Sequence, residues 1–168
     1  MLTAERLIEL LNLKPHPEGG YYAETYRSTE LIAAEALPDR YSGPRSYGTA
    51  IYYLLTPETF SAIHRLTTDE IYHFYLGDPV ELIQLEPDGS GRSMMLGNDV
   101  AGGMQLQAVI SRGTWHGSRL VEGGKYALLG TTVAPSFEFV DNEAGRRSDL
   151  ILAYPSFRDS IIALTRED

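Results

Sequence analysis

Apolar residues recur along this chain at two different periods, and the change between them predicts its elements. Over residues 3–12, Leu7, Leu10 and Leu11 make one stripe at helical spacing, and Thr3 stands in front as an N-cap. Pro15 and Pro17 end that helix, because proline lacks an amide hydrogen and its ring clashes with the preceding turn. From Tyr21 to Arg27 the pattern loosens into the alternation of a tyrosine-rich strand. Residues 28–46 carry Pro38, Gly43 and Pro44 and read as a loop with a helical turn around Ile32–Ala36. Strands are then expected at 49–55, 60–65, 70–76, 79–85, 92–96, 105–110, 114–121 and 125–133. The stretch 86–91, EPDGSG, and the glycine pair at 123–124 supply tight turns between them. A helix follows from 155, with Ser156 as its cap and Asp159 completing a capping box. Many short strands with glycine-bearing turns predict an all-β sandwich or closed barrel with a short helix at each end.

At 168 residues, without internal repeat or linker, the chain is expected to form a single domain over 1–168. It has no cysteine, which excludes thiolate ligands and a thiol nucleophile and suits a reducing compartment; a cytoplasmic location is expected. The first thirteen residues have no basic start and carry acids within the apolar pattern, unlike a signal peptide, and no apolar run reaches the ~20 residues of a membrane span. The net charge is −9, with Lys14 and Lys125 the only lysines, so neither nucleic acid nor a membrane is expected as a partner. Eleven tyrosines suit an aromatic-lined cavity for a small molecule.

The chemistry concentrates in HRLTTDEIYHFYLG, residues 64–77, and in His116 beyond it. Alternation places Phe60, Ala62, His64 and Leu66 on one face of their strand, opposed by Ser61, Ile63 and Arg65. In the next strand Glu70, Tyr72 and Phe74 share a face, and His73 looks outward with Ile71 and Tyr75. Later, His116 shares a face with Ser118 and Leu120, and Trp115 begins the other. Imidazole and carboxylate groups converging from separate strands suit a metal site or an acid–base pair. His64 and Glu70 are the stronger candidates, since a buried glutamate needs a partner; His116 is as readily a ligand as a structural hydrogen bonder. His16, between two prolines, reads as an exposed loop residue, and Glu18-Gly19-Gly20 as a tight turn near a pocket mouth. Tyr22, Tyr52, Tyr72, Phe74 and Trp115 are candidates to stack on a ligand, and Arg27, Arg65 and Arg119 to hold an anionic group; each is equally at home as core or solvated strand. There is no P-loop lysine and no helical H-E-x-x-H, and DGSGR at 88–92 lies in a hairpin turn.

These spacings resemble the cupin superfamily. Its first motif, histidine-x-histidine, glutamate, glycine, aligns as His64, Leu66, Glu70 and Gly77 with every gap kept. The second aligns as Ser111, Gly113 and His116, with serine for the motif's proline and Leu120 for its asparagine. HPEGGYYAETYRS (16–28), HRLTTDEIYHFYLGDP and TVAPSFEFVDNE (132–143) together are similar to a group of compact single-domain cupins. The resemblance implies an all-β double-stranded β-helix (a jelly-roll barrel), a homodimer, and an architecture similar to sugar-nucleotide 3,5-epimerases. It also implies a metal site, from which Leu66 has removed one of three histidines. His64, Glu70 and His116 would remain as a two-histidine, one-carboxylate set for iron, manganese, nickel or zinc.

Three functions stay open. One is an epimerase-like or isomerase-like enzyme acting on a carbohydrate or nucleotide-sugar, with His64 as base, Tyr52 or Tyr72 as acid and Arg27 or Arg65 on an anionic group. Alternation turns Arg65 away from that cavity unless its strand bulges. Another is a metal-dependent dioxygenase or isomerase built on His64, Glu70 and His116. The third is a non-catalytic ligand-binding barrel, a sensor or carrier.

Overall fold

The strands pair into two antiparallel sheets that close on one another as a jelly-roll barrel, the double-stranded β-helix expected. The structure is a computed structural model and describes residues 2–167. Its strands are β1 (Lys14–Pro15), β2 (Tyr21–Arg27), β3 (Leu31–Ile32), β4 (Arg45–Ser46), β5 (Thr49–Leu55), β6 (Phe60–Leu66) and β7 (Glu70–Gly77). They continue as β8 (Val80–Leu85), β9 (Gly91–Leu96), β10 (Gln107–Ile110), β11 (Trp115–Leu120), β12 (Ala127–Val133) and β13 (Asn142–Ala144). Short helices α1 (Ala4–Leu10), α2 (Arg147–Ala153) and α3 (Arg158–Ala163) flank them. One sheet runs β1-β2-β5-β12-β7-β10 and the other β13-β6-β11-β8-β9, while β3 and β4 pair apart.

Apolar side chains pack on both faces of each sheet, which gives three layers, while Tyr75 of β7 and Val109 of β10 stay exposed on the outside of the six-stranded sheet. Between the sheets, Tyr53, Leu55, Tyr72, Phe74, Leu82, Leu96, Ile110 and Leu129 fill one end of the barrel. Outside the five-stranded sheet, Ile63, Ile83 and Leu85 pack against Leu150, Tyr154, Ile161 and Leu164 of the C-terminal helices. Outside the six-stranded sheet, Leu54 and Leu128 pack under Leu7 and Leu13 at α1. Each fully buried leucine or isoleucine stabilises the fold by roughly 1.5–3 kcal/mol relative to exposure. Thr3 caps α1 as expected, accepting from the Arg6 amide at 3.2 Å.

Four local expectations are corrected. Ser156 caps no helix: it lies in a 3-10 turn, Pro155–Phe157, and α3 starts behind Phe157 without a side-chain cap. The sequence pattern missed α2, whose roughly two turns pack Leu150 against the outer sheet face. Within 28–46, the helical turn is confined to Ala34–Ala36, and Leu31–Ile32 pairs with Arg45–Ser46.

The fourth correction shapes the site. In β6 the strict alternation breaks: His116 pairs with His64, yet Ser118 pairs with Ser61, so one extra residue bulges from β6 at Ala62–Ile63. Ser61 therefore turns inward with His64 and Leu66, and Phe60 turns out to the helices. Every backbone group released by the bulge finds a new partner. The Ala62 amide donates to the Glu18 carbonyl at 2.9 Å and the Ile63 amide to the Leu164 carbonyl at 2.8 Å. The Ile63 carbonyl accepts from the Gly145 amide at 2.8 Å, and the Ala62 carbonyl faces His64 Nδ1 at 2.8 Å. On the facing strand Gly117 makes room, since a Cβ there would sit 2.9 Å from the Ser61 carbonyl oxygen.

Candidate functional site

The end of the barrel that the apolar layer leaves unfilled is a cavity of about 230 Å³. Its floor and walls come from β5, β6, β7 and β12, and its mouth from residues 14–27 and 137–139. The Glu18-Gly19-Gly20 turn carries Glu18 into the wall beside His64, deeper than the mouth position expected of it. Gly19 is required there: its φ is +111°, and any Cβ would collide with the Phe60 carbonyl. Tyr53 ties the turn down by donating to the Gly19 carbonyl at 2.7 Å.

His64, Glu70 and His116 each offer one donor atom, all within 4.8 Å of one another, and all three are buried. The rings of His64 and His116 lie 4.2 Å apart. His64 Nδ1 faces the Ala62 carbonyl, an acceptor only, so this nitrogen carries the proton and Nε2 keeps the lone pair. His116 likewise donates from Nδ1 to the Thr114 carbonyl, at 3.2 Å, but its Nε2 also carries a proton, which it donates to Glu70 Oε2 at 2.9 Å. Glu18 Oε2 stands 3.2 Å from His64 Nδ1, and Asn142 donates to the other Glu18 oxygen.

Burial and mutual charge divide these groups. Desolvation, with help from repulsion by His116, pushes His64 down to about 3, so it is neutral. Desolvation and the nearby charge of Glu70 push Glu18 up to about 7. Burial also works to lift Glu70 and to lower His116, but their mutual hydrogen bond and attraction win, holding Glu70 below and His116 above the usual range. The floor therefore carries one strongly held carboxylate and one that takes up a proton readily. Burial drives Tyr72 and Tyr53 upward, so both hydroxyls stay protonated donors.

The other expected residues divide between cavity and exterior. Tyr72 and Arg27 line the cavity, but Arg27 already pairs with Glu24 at 2.9 Å and Glu138 at 2.7 Å. Tyr52 does not reach it; its ring packs under α1 and edge-on to Tyr75, and Tyr53 takes the inward place. Phe74 is enclosed in the apolar end of the barrel. Trp115 lies outside against the C-terminal helices, beneath the Arg65 guanidinium at 4.4 Å, and Arg65 pairs with Glu143. Arg119 pairs with Glu81 outside the cavity. His73 looks outward as expected, bonded to Thr132 and Gln107. His16 is no exposed loop residue: it is partly buried in the cavity wall, 4.6 Å from the Tyr22 ring, and desolvation lowers it to about 4. Ser61, Tyr53, Thr131, Phe137, Phe139 and Asn142 are among the site residues that the sequence did not suggest.

Comparison with known proteins agrees with this architecture. An uncharacterized protein of Saccharomyces cerevisiae, YML079W, is 30% identical over 148 residues, 83% of this chain and 74% of its own length. A hypothetical protein from Leishmania major superposes with a TM-score of 0.88 at 32% identity, covering 99% of this chain and 100% of that one. More remotely, the oxalate decarboxylase of Bacillus subtilis, a protein with Mn(II) centres, superposes with a TM-score of 0.53 at 12% identity, over 94% of this chain and 39% of that one. At that identity the likeness is one of fold alone. The family described as Cupin superfamily (DUF985) matches residues 5–145, and the chain belongs to it.

Proposed function

We propose that the protein binds a small, uncharged polar molecule in the barrel cavity, over a divalent transition metal held by His64, Glu70 and His116. The observation that carries this reading is the orientation of the two imidazoles. Each gives its Nδ1 proton to a backbone carbonyl, the outer hydrogen bond that fixes a metal-binding histidine and raises its basicity. With Glu70 the donors make a two-histidine, one-carboxylate set, and Leu66 keeps the remaining side of the floor apolar. Nitrogen and carboxylate donors suit iron, manganese, nickel or zinc, and such an ion would supply Lewis acidity toward a ligand oxygen.

The lining argues for the ligand class. Glu18, Glu24, Glu70 and Glu138 face Lys14 and Arg27, and Arg27 is engaged by two of these carboxylates. A diphosphate would meet more negative than positive charge, whereas sugar hydroxyls would find Tyr72, Ser61, Thr131 and Glu18 to bond and Tyr22, Phe137 and Phe139 to pack against. This favours a carbohydrate over a nucleotide-sugar. The outward Tyr75, Val109 and Leu106 of the six-stranded sheet side support the homodimer that belongs to this reading, and the cysteine-free chain suits the cytoplasm.

Elemental analysis of protein purified without a metal-affinity tag, beside His64→Ala, tests the proposal. Near one equivalent of a transition metal, lost in the variant, is expected; no metal in either would overturn it. A second reading, proton transfer beside a carbonyl as in an epimerase, is favoured by Glu18 standing 3.2 Å from His64 inside the cavity with the Tyr72 hydroxyl as partner. It predicts deuterium uptake from solvent into a keto-sugar, and a panel without exchange would sink it.

A further inference from the structure

A second group of cations is gathered outside the cavity. Arg40, Arg65 and Arg112 line a cleft of about 390 Å³ together with Leu66, Thr67, Gly113 and the 140–143 segment. Four separate stretches of chain meet there, so the clustering is a product of the fold. Leu66 lines both cleft and cavity, and Asn142 of the cleft donates to Glu18 of the cavity wall, so the two residues stand between them.

The local charge runs against that of the whole chain, which is −9. Two carboxylates line the cleft, and both are committed. Asp141 has each oxygen held at 2.7 Å by Arg45, and Glu143 is held by Arg65. Arg40 uses Nε on the Thr67 carbonyl at 2.9 Å, which leaves its terminal nitrogens uncommitted. The Arg112 guanidinium has no hydrogen-bond or ion-pair partner among the described residues. Two guanidinium groups therefore remain without a counter-charge.

Two of the three guanidinium groups are also held in place before any ligand arrives. Arg65 sits over the Trp115 ring at 4.4 Å while Glu143 grips it, and Arg40 is pinned both by Thr67 and over the Tyr41 ring at 4.8 Å. A planar guanidinium fixed in this way loses little freedom on taking an oxyanion and can present two parallel donors to it. One buried hydroxyl without a partner, Thr67 Oγ1, belongs to a residue of the same cleft and can donate. An unmet hydroxyl is costly in a closed wall and is relieved by a polar ligand. We propose that this cleft is a binding site for an oxyanion, the phosphate or carboxylate group of a small molecule, separate from the barrel cavity.

The test is a titration of full-length, uniformly ¹⁵N-labelled protein, following the arginine Nε–Hε resonances at constant ionic strength. Inorganic phosphate and citrate serve as probes, each against chloride. Saturable shifts confined to Arg40, Arg65 and Arg112, with half-saturation on the order of millimolar, are expected. Tighter binding of phosphate would assign a phosphoryl ligand and tighter binding of citrate a carboxylate, and either supports the site. Arg112→Glu should weaken the titration about tenfold or more, and Arg40→Gln gives an independent measure, both side chains being exposed. Shifts that never saturate and spread equally to Arg119 and Arg158, or a titration unaltered in both variants, would overturn the proposal.

Discussion

Removing Asp141 should cost the protein more stability than almost any other single change to a polar residue. Arg45 and Asp141 form a two-pronged ion pair, with both hydrogen bonds at 2.7 Å and each side chain only 4% exposed. In Asp141→Ala the guanidinium stays buried with the Gly43 and Pro44 carbonyls but without a counter-charge. Leaving a buried charge unpaired costs about 3–5 kcal/mol. For a chain of 168 residues the entropy of unfolding near the midpoint is about 0.35 kcal/mol/K, so the melting temperature should fall by about 10 °C. Urea titration measures the free energy, and calorimetry the midpoint. The amides of Thr67 and Asp141, bonded to the Asp141 and Glu138 carbonyls, should exchange faster as the 137–141 wall of the cavity loosens. The double replacement Arg45→Met with Asp141→Leu should recover most of the loss, because neither charge is then stranded. A single variant within about 1 kcal/mol of the parent would refute the reasoning, since it would mean the pair is solvated in solution.

Two further outcomes are expected. Gly117→Ala puts a Cβ against the Ser61 carbonyl and the Ile63 side chain, so it should cost about 1–3 kcal/mol in urea titration and weaken metal retention by displacing His64; unchanged values for both would show the bulge is not set by Gly117. His16 is lowered to about 4 in the folded state against about 6.5 unfolded, and its Nδ1 accepts from the Glu18 amide. The unfolded chain therefore takes up a proton that the folded chain refuses. Stability is full above about pH 6.5 and declines as the pH falls toward 4, by up to about 3 kcal/mol from this residue. His16→Asn keeps an acceptor without the titration, so its stability should fall less between pH 7 and 4.5; parallel curves would exclude the assignment.

How much could be read in advance depended on whether one face of an element is decisive. In β7 the alternation of Glu70, Tyr72 and Phe74 against His73 and Tyr75 held once Glu70 was set facing the cavity with His64. It broke only at Leu76, where a shift of register turns that residue to the outer layer. In β5 both faces are apolar, Tyr53 and Leu55 toward the barrel and Tyr52 and Leu54 toward α1, so the pattern held nothing to choose between adjacent tyrosines. The bulge in β6 was hidden for another reason. Its partners are the carbonyls of Glu18 and Leu164, far away along the chain, and no local property of Ala62 or Ile63 announces them. His16 was misjudged because the prolines beside it describe the backbone and say nothing of the aromatic wall it joins. His64 and Glu70, by contrast, were marked by spacing alone.

The adjacent amides of Ala62 and Ile63 are claimed by two segments far apart in sequence, one by the turn at Glu18 and the other by Leu164 behind α3. The cavity floor is thus among the most non-local parts of this fold, and contacts of such separation form late, after the chain-closure entropy has been met. During synthesis the barrel strands can begin to pair while the donor cluster still lacks its C-terminal support. A chain released before Leu164 would carry both histidines and the glutamate in its sequence, without the bulge that sets them side by side. The side-by-side placing of the donors therefore doubles as a report that the Leu164 segment has docked.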